Sequence, residues 1–364
     1  MGQKTQISRS RQGGACLGVK FGTRLMQVDL LRTKRQRRAI CAVGDGKPCV
    51  PHAQDARVKR HRGRDVRYRQ HKVIKRGDLT CCRLLCHGRV FRNSWRMEHA
   101  TQMMTRQTDM MDPARAAAFQ AALNVPGRTG SGDTLPPFFH QLYFWQAEPP
   151  GNLGRDGHPR VGGIIPDMGL PRRMWAGGRM EFGPALRAGV RATRLTSVDA
   201  QTAKAGRTGP LGFVTMRHEY WQNDALCLTE WQDLVYREDP DPAAPSPVPP
   251  VAPMGEDVAE QRRFDTTLLF RYSALTFNGH RIHYDVDYAR ETEGYAGLVV
   301  HGPLLAQHLL LLAARDLGPL RRFAFRATAP LMHFETAEFC RKGCDLWVRG
   351  PDGRQCMQAT AEAG

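Results

Sequence analysis

No stretch of this chain approaches the roughly 18 consecutive apolar residues of a membrane span. The longest run, Leu309–Ala314, suits a buried helix instead. No Gly-rich loop follows a candidate strand to cradle a phosphate, and no Ser occupies a nucleophile elbow. No His-Glu-x-x-His metal spacing occurs, and Gly162-Gly163-Ile-Ile-Pro166 and Gly177-Gly178 stand isolated and read as turns. These absences turn attention away from nucleotide-binding, serine-hydrolase and metalloprotease chemistry. No secretory signal is recognisable, so the ten cysteines read as free thiols in a reducing cytoplasm.

The folded body also lacks net charge. The whole chain carries +18, but residues 1–100 hold 25 of its 53 Lys and Arg and only 6 of its 35 Asp and Glu. The remaining 28 basic and 29 acidic residues nearly cancel. The basicity therefore belongs to one segment and says nothing about what the body binds. Residues 1–96 show no sustained periodicity and contain clusters such as Arg57-Val-Lys-Arg-His-Arg-Gly-Arg64, so they read as disordered.

Three origins compete for this segment. A nucleic-acid arm would neutralise phosphates, but no aromatic stacking ladder accompanies the charge. A mitochondrial transit peptide would be Ser-rich, whereas only Ser8, Ser10 and Ser94 occur. Upstream DNA read through a mis-assigned start codon best suits the Arg, Cys and Gly excess and the abrupt change near Met97. The true start would then be Met97, Met103, Met104, Met110 or Met111. Cys82 and Cys86, beside His87, have zinc-like spacing but no clean second pair, so they read as unligated.

The body divides at Asp239–Pro253, whose prolines remove amide donors and exclude a core strand. This gives a first unit at 97–238, a linker at 239–256 and a second unit at 257–364. The first unit opens with a helix from Pro113 to Leu123, capped by Asp112. A short buried helix is expected within Leu135–Trp145. Strands are expected at Met174–Phe182, Ala188–Ala200, Gly212–Tyr220 and Ala225–Tyr236, the last two forming a hairpin across Gln222-Asn-Asp224.

The second unit is expected to open with a strand at Phe264–Tyr272 and a short helix at Tyr284–Glu291. Pro303–Leu317 is apolar on nearly all sides, so it predicts a central, wrapped helix ending at Gly318-Pro319. Strands follow at Arg321–Ala327, Glu335–Cys340, Asp345–Arg349 and Gln355–Ala361. The fold class is α+β.

Proton-competent groups concentrate in Phe277-Asn-Gly-His-Arg-Ile-His-Tyr-Asp285. His301-Gly302-Pro303 then stands at the start of the central helix. A helix N-terminus offers unpaired amides and partial positive charge. The Gly302 amide could therefore polarise a thioester carbonyl, while a nearby imidazole moves a proton to or from water or the α-carbon. The candidate catalytic residues are His283, Asn278 and Gly302. The candidate substrate-binding residues are His280, Arg281, Asp285, His301 and Pro303. Structural roles compete at several of these: Arg281 can pair with Asp285, and His301 can cap the helix.

Two runs carry a resemblance. They are Ser273-Ala-Leu-Thr-Phe-Asn-x-His-Arg-Ile-His-Tyr-Asp285 and Glu293-Gly-Tyr-x-Gly-Leu-Val-Val-His-Gly-Pro303. The segment from about Phe264 to Pro330 resembles the MaoC-like hydratases of the hot-dog fold. It is most similar to the branch of mesaconyl-C4-CoA hydratase and the mitochondrial 3-hydroxyacyl-thioester dehydratase. Residues 97–238 resemble the N-terminal hot-dog of the same proteins more weakly. The resemblance implies a double hot-dog, two antiparallel sheets each wrapped around a central helix.

It also implies a hydro-lyase adding water to the 2,3-double bond of an enoyl thioester, with mesaconyl-C4-CoA the leading substrate. A 3-hydroxyacyl-thioester dehydratase of fatty-acid-type synthesis is the alternative within the class, with acyl carrier protein in place of coenzyme A as a variant. A non-catalytic acyl-CoA-binding hot-dog protein is the alternative outside it. No metal or redox cofactor is implied. The expected partners are the acyl-CoA substrate and a second copy in a homodimer, with no membrane or nucleic acid. The expected location is cytoplasmic, or mitochondrial in a eukaryote.

In the wider group an Asp and a His five residues apart act on one water. The His falls on His283 and the Asp on Asn278, which cannot serve as a base. Proton transfer then falls mainly on His283, with Asp285 or His280 as helpers. A dicarboxylic substrate would need a further cation, with Arg271, Arg281 and Arg326 as candidates.

Overall fold

The computed structural model describes residues 104–206, 209–241 and 247–364. The readings of the basic segment and of Cys82, Cys86 and His87 lie outside these residues. The first half contains β1 (Met104–Asp109), α1 (Pro113–Leu123), β2 (Arg172–Phe182), β3 (Ala192–Gly206), β4 (Gly209–Gln222) and β5 (Ala225–Arg237). The second half contains β6 (Val258–Arg263), α2 (Thr266–Thr276), α3 (Gly302–Leu317), β7 (Leu320–Ala327), β8 (Thr336–Lys342), β9 (Asp345–Arg349) and β10 (Gln355–Ala363).

All the strands join one antiparallel sheet in the order β1-β3-β4-β5-β2-β7-β10-β9-β8-β6. The halves meet where β2 pairs with β7, and Gly177 and Gly178 lie inside β2 at this seam. They are not turns. A Cβ on Gly177 would stand 2.6 Å from the Phe325 carbonyl, and one on Gly178 2.5 Å from that of Trp231. Only glycine permits the two backbones this approach.

The double hot-dog expected from the sequence is present, with two differences. The two sheets are continuous, and only the second half holds a long central helix. That helix, α3, buries Leu304, Leu305, Leu309, Leu310 and Leu312 against the second-half strands. Gln307 on α3 also donates to the Pro137 carbonyl of the first half at 3.0 Å. In the first half, the inner face of β4 alternates strictly: Val214, Met216, His218, Tyr220 and Gln222 point inward. Val214 and Met216 are covered by loop residues Val161, Ile164, Ile165 and Met168. A loop and an open cavity thus take the place of a second central helix.

Most expected strands lie within the observed ones. The hairpin turns at Asn223 and Asp224, both with positive φ (46° and 61°), matching the right-handed twist of its arms. Asp112 caps α1 by accepting from the Ala114 amide at 2.9 Å. The buried helix expected within Leu135–Trp145 is a short 3-10 turn, Phe139–Leu142.

One of these expectations is corrected and one is shifted. Phe264–Tyr272 is not a strand; α2 begins at Thr266, because Asp265 accepts from the Leu268 amide at 2.8 Å and caps it. Its aromatic residues suggested a strand, but Leu269, Tyr272 and Ser273 form one buried helical face. The short helix expected over Tyr284–Glu291 is present slightly later in the chain, as a π-helix at Tyr288–Thr292, and a separate 3-10 turn at Arg281–His283 precedes it. The Pro-rich segment is anchored at its far end: Ala252 is buried against Cys340 and Trp347, and its amide donates to the Gly353 carbonyl. The edge strands β1 and β6 went unrecognised because both are short and polar, which also keeps such edges from pairing with other chains.

No helix among the described residues is long and apolar enough to cross a membrane.

Candidate active site

α2 ends at Phe277 in the left-handed region (φ 54°), which turns the chain sharply. The Asn278 amide then donates back to the Ser273 carbonyl at 2.8 Å. The Asn278 side-chain oxygen accepts from the His280 amide at 3.0 Å, a local turn that Asn forms readily. The 3-10 turn Arg281–His283 follows and sends Ile282 and His283 inward.

A second contact fixes this loop from outside. A Cβ on Gly157 would lie 2.1 Å from the Gly279 carbonyl, and one on Gly279 2.5 Å from that of Gly157. The two glycines let a first-half loop cross this loop with backbones touching.

His283 is buried, and its Nδ1 lies 2.8 Å from the Val299 carbonyl. A carbonyl can only accept, so Nδ1 carries the proton and Nε2 keeps its lone pair. His301 stacks on His283 with ring centroids 3.6 Å apart. Its Nε2 meets the Ser273 hydroxyl at 2.8 Å, and its Nδ1 is buried without a partner. The His280 and His283 rings stand roughly perpendicular with centroids 5.4 Å apart, and the ring of His158 in the first half lies 5.0 Å from that of His280.

Burial lowers the His283 pKa to about 3; the neighbouring His280 adds to this and the Val299 bond opposes it. Burial, then the charges of Arg173 and His283, lowers that of His158 to about 3. His280 and His301 are pushed down as well, first by burial and then by neighbouring histidines. These shifts favour the neutral imidazole throughout the cluster at ordinary pH.

The imidazoles also shape acid stability. His308, packed between Phe264 and Phe339, is held at about 3, first by burial and then by the Arg262 charge. The unfolded chain takes up protons as pH falls through about 6.5. The folded chain does not until far lower, so stability falls with pH across that window. His308→Leu should flatten the decline of unfolding free energy by about one proton's worth of slope, measured in urea melts between about pH 6 and 4.

One cavity of about 1030 Å³ collects most of these groups. Asn278, His280, His283, Gly302 and Pro303 line it. His301 does not; it lies fully buried beneath His283, with no side-chain capping bond to α3. Arg281 and Asp285 do not line it either. They pair with each other at 2.7 Å, and Asp285 accepts from the Tyr288 amide, so Asp285 is placed to fix the loop and not to assist His283. Arg271 and Arg326 are exposed and away from the cavity. The Gly302 amide has no backbone partner at the head of α3, and Pro303 has no N–H to offer.

Sequence reasoning missed the first half's share of the wall. Arg172, Arg173, Arg194, His218, Tyr220 and Glu230 all line the cavity. Glu230 accepts from the Tyr220 hydroxyl at 2.8 Å and from the Gln141 amide at 2.7 Å, with His140 at 3.2 Å. Burial opposes its charge, but His140 and then His218 and Tyr220 overcome this and hold its carboxyl at about 2. The signal was available: His218, Tyr220 and Glu230 fall on the inward positions of strands whose other inward residues are largely apolar. No comparable pattern marks His158, which lies in an irregular loop.

Comparison with known proteins agrees with this geometry. Residues 138–333 match the family model described as hydroxyacyl-thioester dehydratase type 2. The mesaconyl-C(4)-CoA hydratase of Chloroflexus aurantiacus is 45% identical over 262 residues, spanning 69% of this chain and 92% of that protein. The mitochondrial hydroxyacyl-thioester dehydratase type 2 of Schizosaccharomyces pombe is 27% identical over 247 residues, spanning 59% of this chain and 80% of that one. The solved MaoC-like dehydratase of Phytophthora capsici shares the fold, with a TM-score of 0.51 at 12% identity over 72% of this chain and 96% of that chain. The chain belongs to the hydroxyacyl-thioester dehydratase type 2 family and is a MaoC-like hydro-lyase of enoyl thioesters.

Proposed function

We propose that the chain hydrates a short, branched, dicarboxylic enoyl-CoA of the mesaconyl-C4-CoA kind, using His283 as the proton-transfer residue. The observation that carries this is the fixed tautomer of His283: the Val299 carbonyl holds Nδ1–H, leaving the Nε2 lone pair at a cavity that Gly302 also lines. The 45% identity to a mesaconyl-C(4)-CoA hydratase supports the substrate class. On this reading the two hot-dog units are 97–238 and 257–364, joined by the segment 239–256.

The thioester oxygen accepts from Gly302 N–H at the positive end of α3. Water adds to the β-carbon as His283 Nε2 takes its proton. The electron pair of the double bond moves toward the carbonyl, and the enolate oxygen gathers charge at Gly302. That anion, in a site of low dielectric, raises the proton affinity of His283 while the imidazolium exists. His283 then returns the proton to the α-carbon. The overall result is addition of one water. Asn278 supplies no base; its side-chain oxygen is engaged by the His280 amide, and its NH2 group orients the water. Arg281 and Asp285 hold the loop, and His301 supports His283 from below.

Steady-state assay with mesaconyl-C4-CoA and crotonyl-CoA tests the reading. Mesaconyl-C4-CoA should give the higher kcat/KM, whereas equal or lower turnover would remove the dicarboxylate from the proposal.

Gly302 offers a separate check. An added Cβ would meet only the Trp175 carbonyl, at an ordinary 3.7 Å. Gly302→Ala should therefore fold with an unchanged melting temperature. The methyl crowds the thioester oxygen off the amide, so kcat should fall about a hundredfold, the scale of a lost oxyanion donor.

A further inference from the structure

A mesaconyl-C4 thioester carries its free carboxylate on the β-carbon itself. Whatever cation reads it must stand beside the path of the attacking water. Six arginines line the cavity, and they differ in what they are free to do. Arg160 is exposed and donates to the Leu153 carbonyl at 3.2 Å. Arg237 pairs across the sheet with Arg172 and acts on the Tyr295 hydroxyl, on the Glu293 side of the cavity. Arg172 is committed to Glu293 at 2.6 Å, with further contacts to the Glu293 carbonyl and the Tyr295 hydroxyl. Arg354 is committed to Glu335 and Asp352. Arg194 reaches Gln107 and the Phe144 carbonyl, and stands among the groups around Glu230.

Arg173 is placed differently. Its guanidinium donates to the Pro159 carbonyl at 3.3 Å, one residue from His158. The rings then step inward, from His158 to His280 at 5.0 Å and from His280 to His283 at 5.4 Å. The Arg173 charge acts on both His158 and His280. Asp156 pairs with it at 3.6 Å, and the Tyr236 hydroxyl stands beside it. The donors that these groups do not engage remain for a ligand, in the fork that suits a carboxylate.

The geometry points to Arg173, on β2 of the first half, as the specificity residue that binds the free carboxylate of the acyl group next to the reacting carbon. This rests on the dicarboxylic reading above. It makes the first hot-dog half a reader of the substrate, with the second half carrying the proton-transfer residue.

The test compares kcat/KM for mesaconyl-C4-CoA and crotonyl-CoA in wild type, Arg173→Met, Arg173→Lys and Arg194→Met. Crotonyl-CoA has no free carboxylate, so its turnover also reports whether each variant folds. Arg173→Met should lower the mesaconyl-to-crotonyl ratio about 10- to 100-fold, the scale of a charge-assisted hydrogen bond. Arg173→Lys should recover part of the ratio, and Arg194→Met should change both substrates alike. Wild-type turnover of mesaconyl-C4-CoA with an unchanged ratio in Arg173→Met overturns the Arg173 assignment alone. A ratio that collapses in Arg194→Met instead also overturns it. No turnover of mesaconyl-C4-CoA by wild type overturns the dicarboxylic reading and this assignment together.

Discussion

Replacing His283 with Ala should lower kcat for any enoyl thioester about a hundred- to ten-thousandfold, the range of a lost general acid–base group. KM should change little, because in the proposed mechanism the imidazole acts on the water and the α-carbon and contributes little to holding the thioester in the ground state. The fold should survive. His283 makes one side-chain hydrogen bond, to the Val299 carbonyl, and its other face opens on the cavity. Circular dichroism and a thermal melt on the same sample separate lost chemistry from lost structure. His283→Gln, closer in volume, should be no more active. An active Ala variant would transfer the proton to His280 or His158.

The largest effect on stability is expected at Glu293. Arg172 and Glu293 form a buried ion pair between β2 and the loop preceding α3, with side chains 6% and 5% exposed. The Tyr288 hydroxyl donates to the second carboxylate oxygen at 3.1 Å, and the Tyr295 hydroxyl meets Arg172 at 3.3 Å. Glu293→Ala leaves the guanidinium buried and unpaired, which costs about 3–5 kcal/mol. At this chain length that lowers the melting temperature by roughly 10 °C. The double variant Arg172→Met, Glu293→Leu removes both charges and should recover more than half of the loss, because isolated burial of charge is what costs most. A single variant no less stable than wild type would show that water reaches the pair.

The second half was largely legible from sequence, and the reason is local. Asn278, His280, His283, Gly302 and Pro303 lie in two short runs, and the turn geometry that gathers them is encoded by neighbours. Asn278 closes its own loop, and the all-apolar Pro303–Leu317 announces a wrapped helix whose head carries Gly302. Arg281 and Asp285 matched the same pattern but point away, because a pair four residues apart satisfies itself before any ligand. The first half was not legible in this way. Arg173 and His158 reach the site only because β2 pairs with β7 and because Gly157 crosses Gly279. Neither contact leaves a periodic trace. Gly177-Gly178 looked like a turn because glycine's usual role in a sequence is to bend the chain, whereas here its lack of a side chain lets two strands close. The strand assigned at Phe264–Tyr272 failed for a related reason: its aromatic residues outweighed the Asp265 cap.

The central claim is that this cavity adds water across an enoyl thioester, with His283 moving the proton. Turnover in heavy-oxygen water, followed by mass spectrometry of the acyl product, measures it directly. One solvent oxygen should enter at the β-carbon with wild type, and labelled product should be lost with His283→Ala. Unlabelled, unchanged enoyl thioester with wild type, or full labelling with His283→Ala, would contradict it.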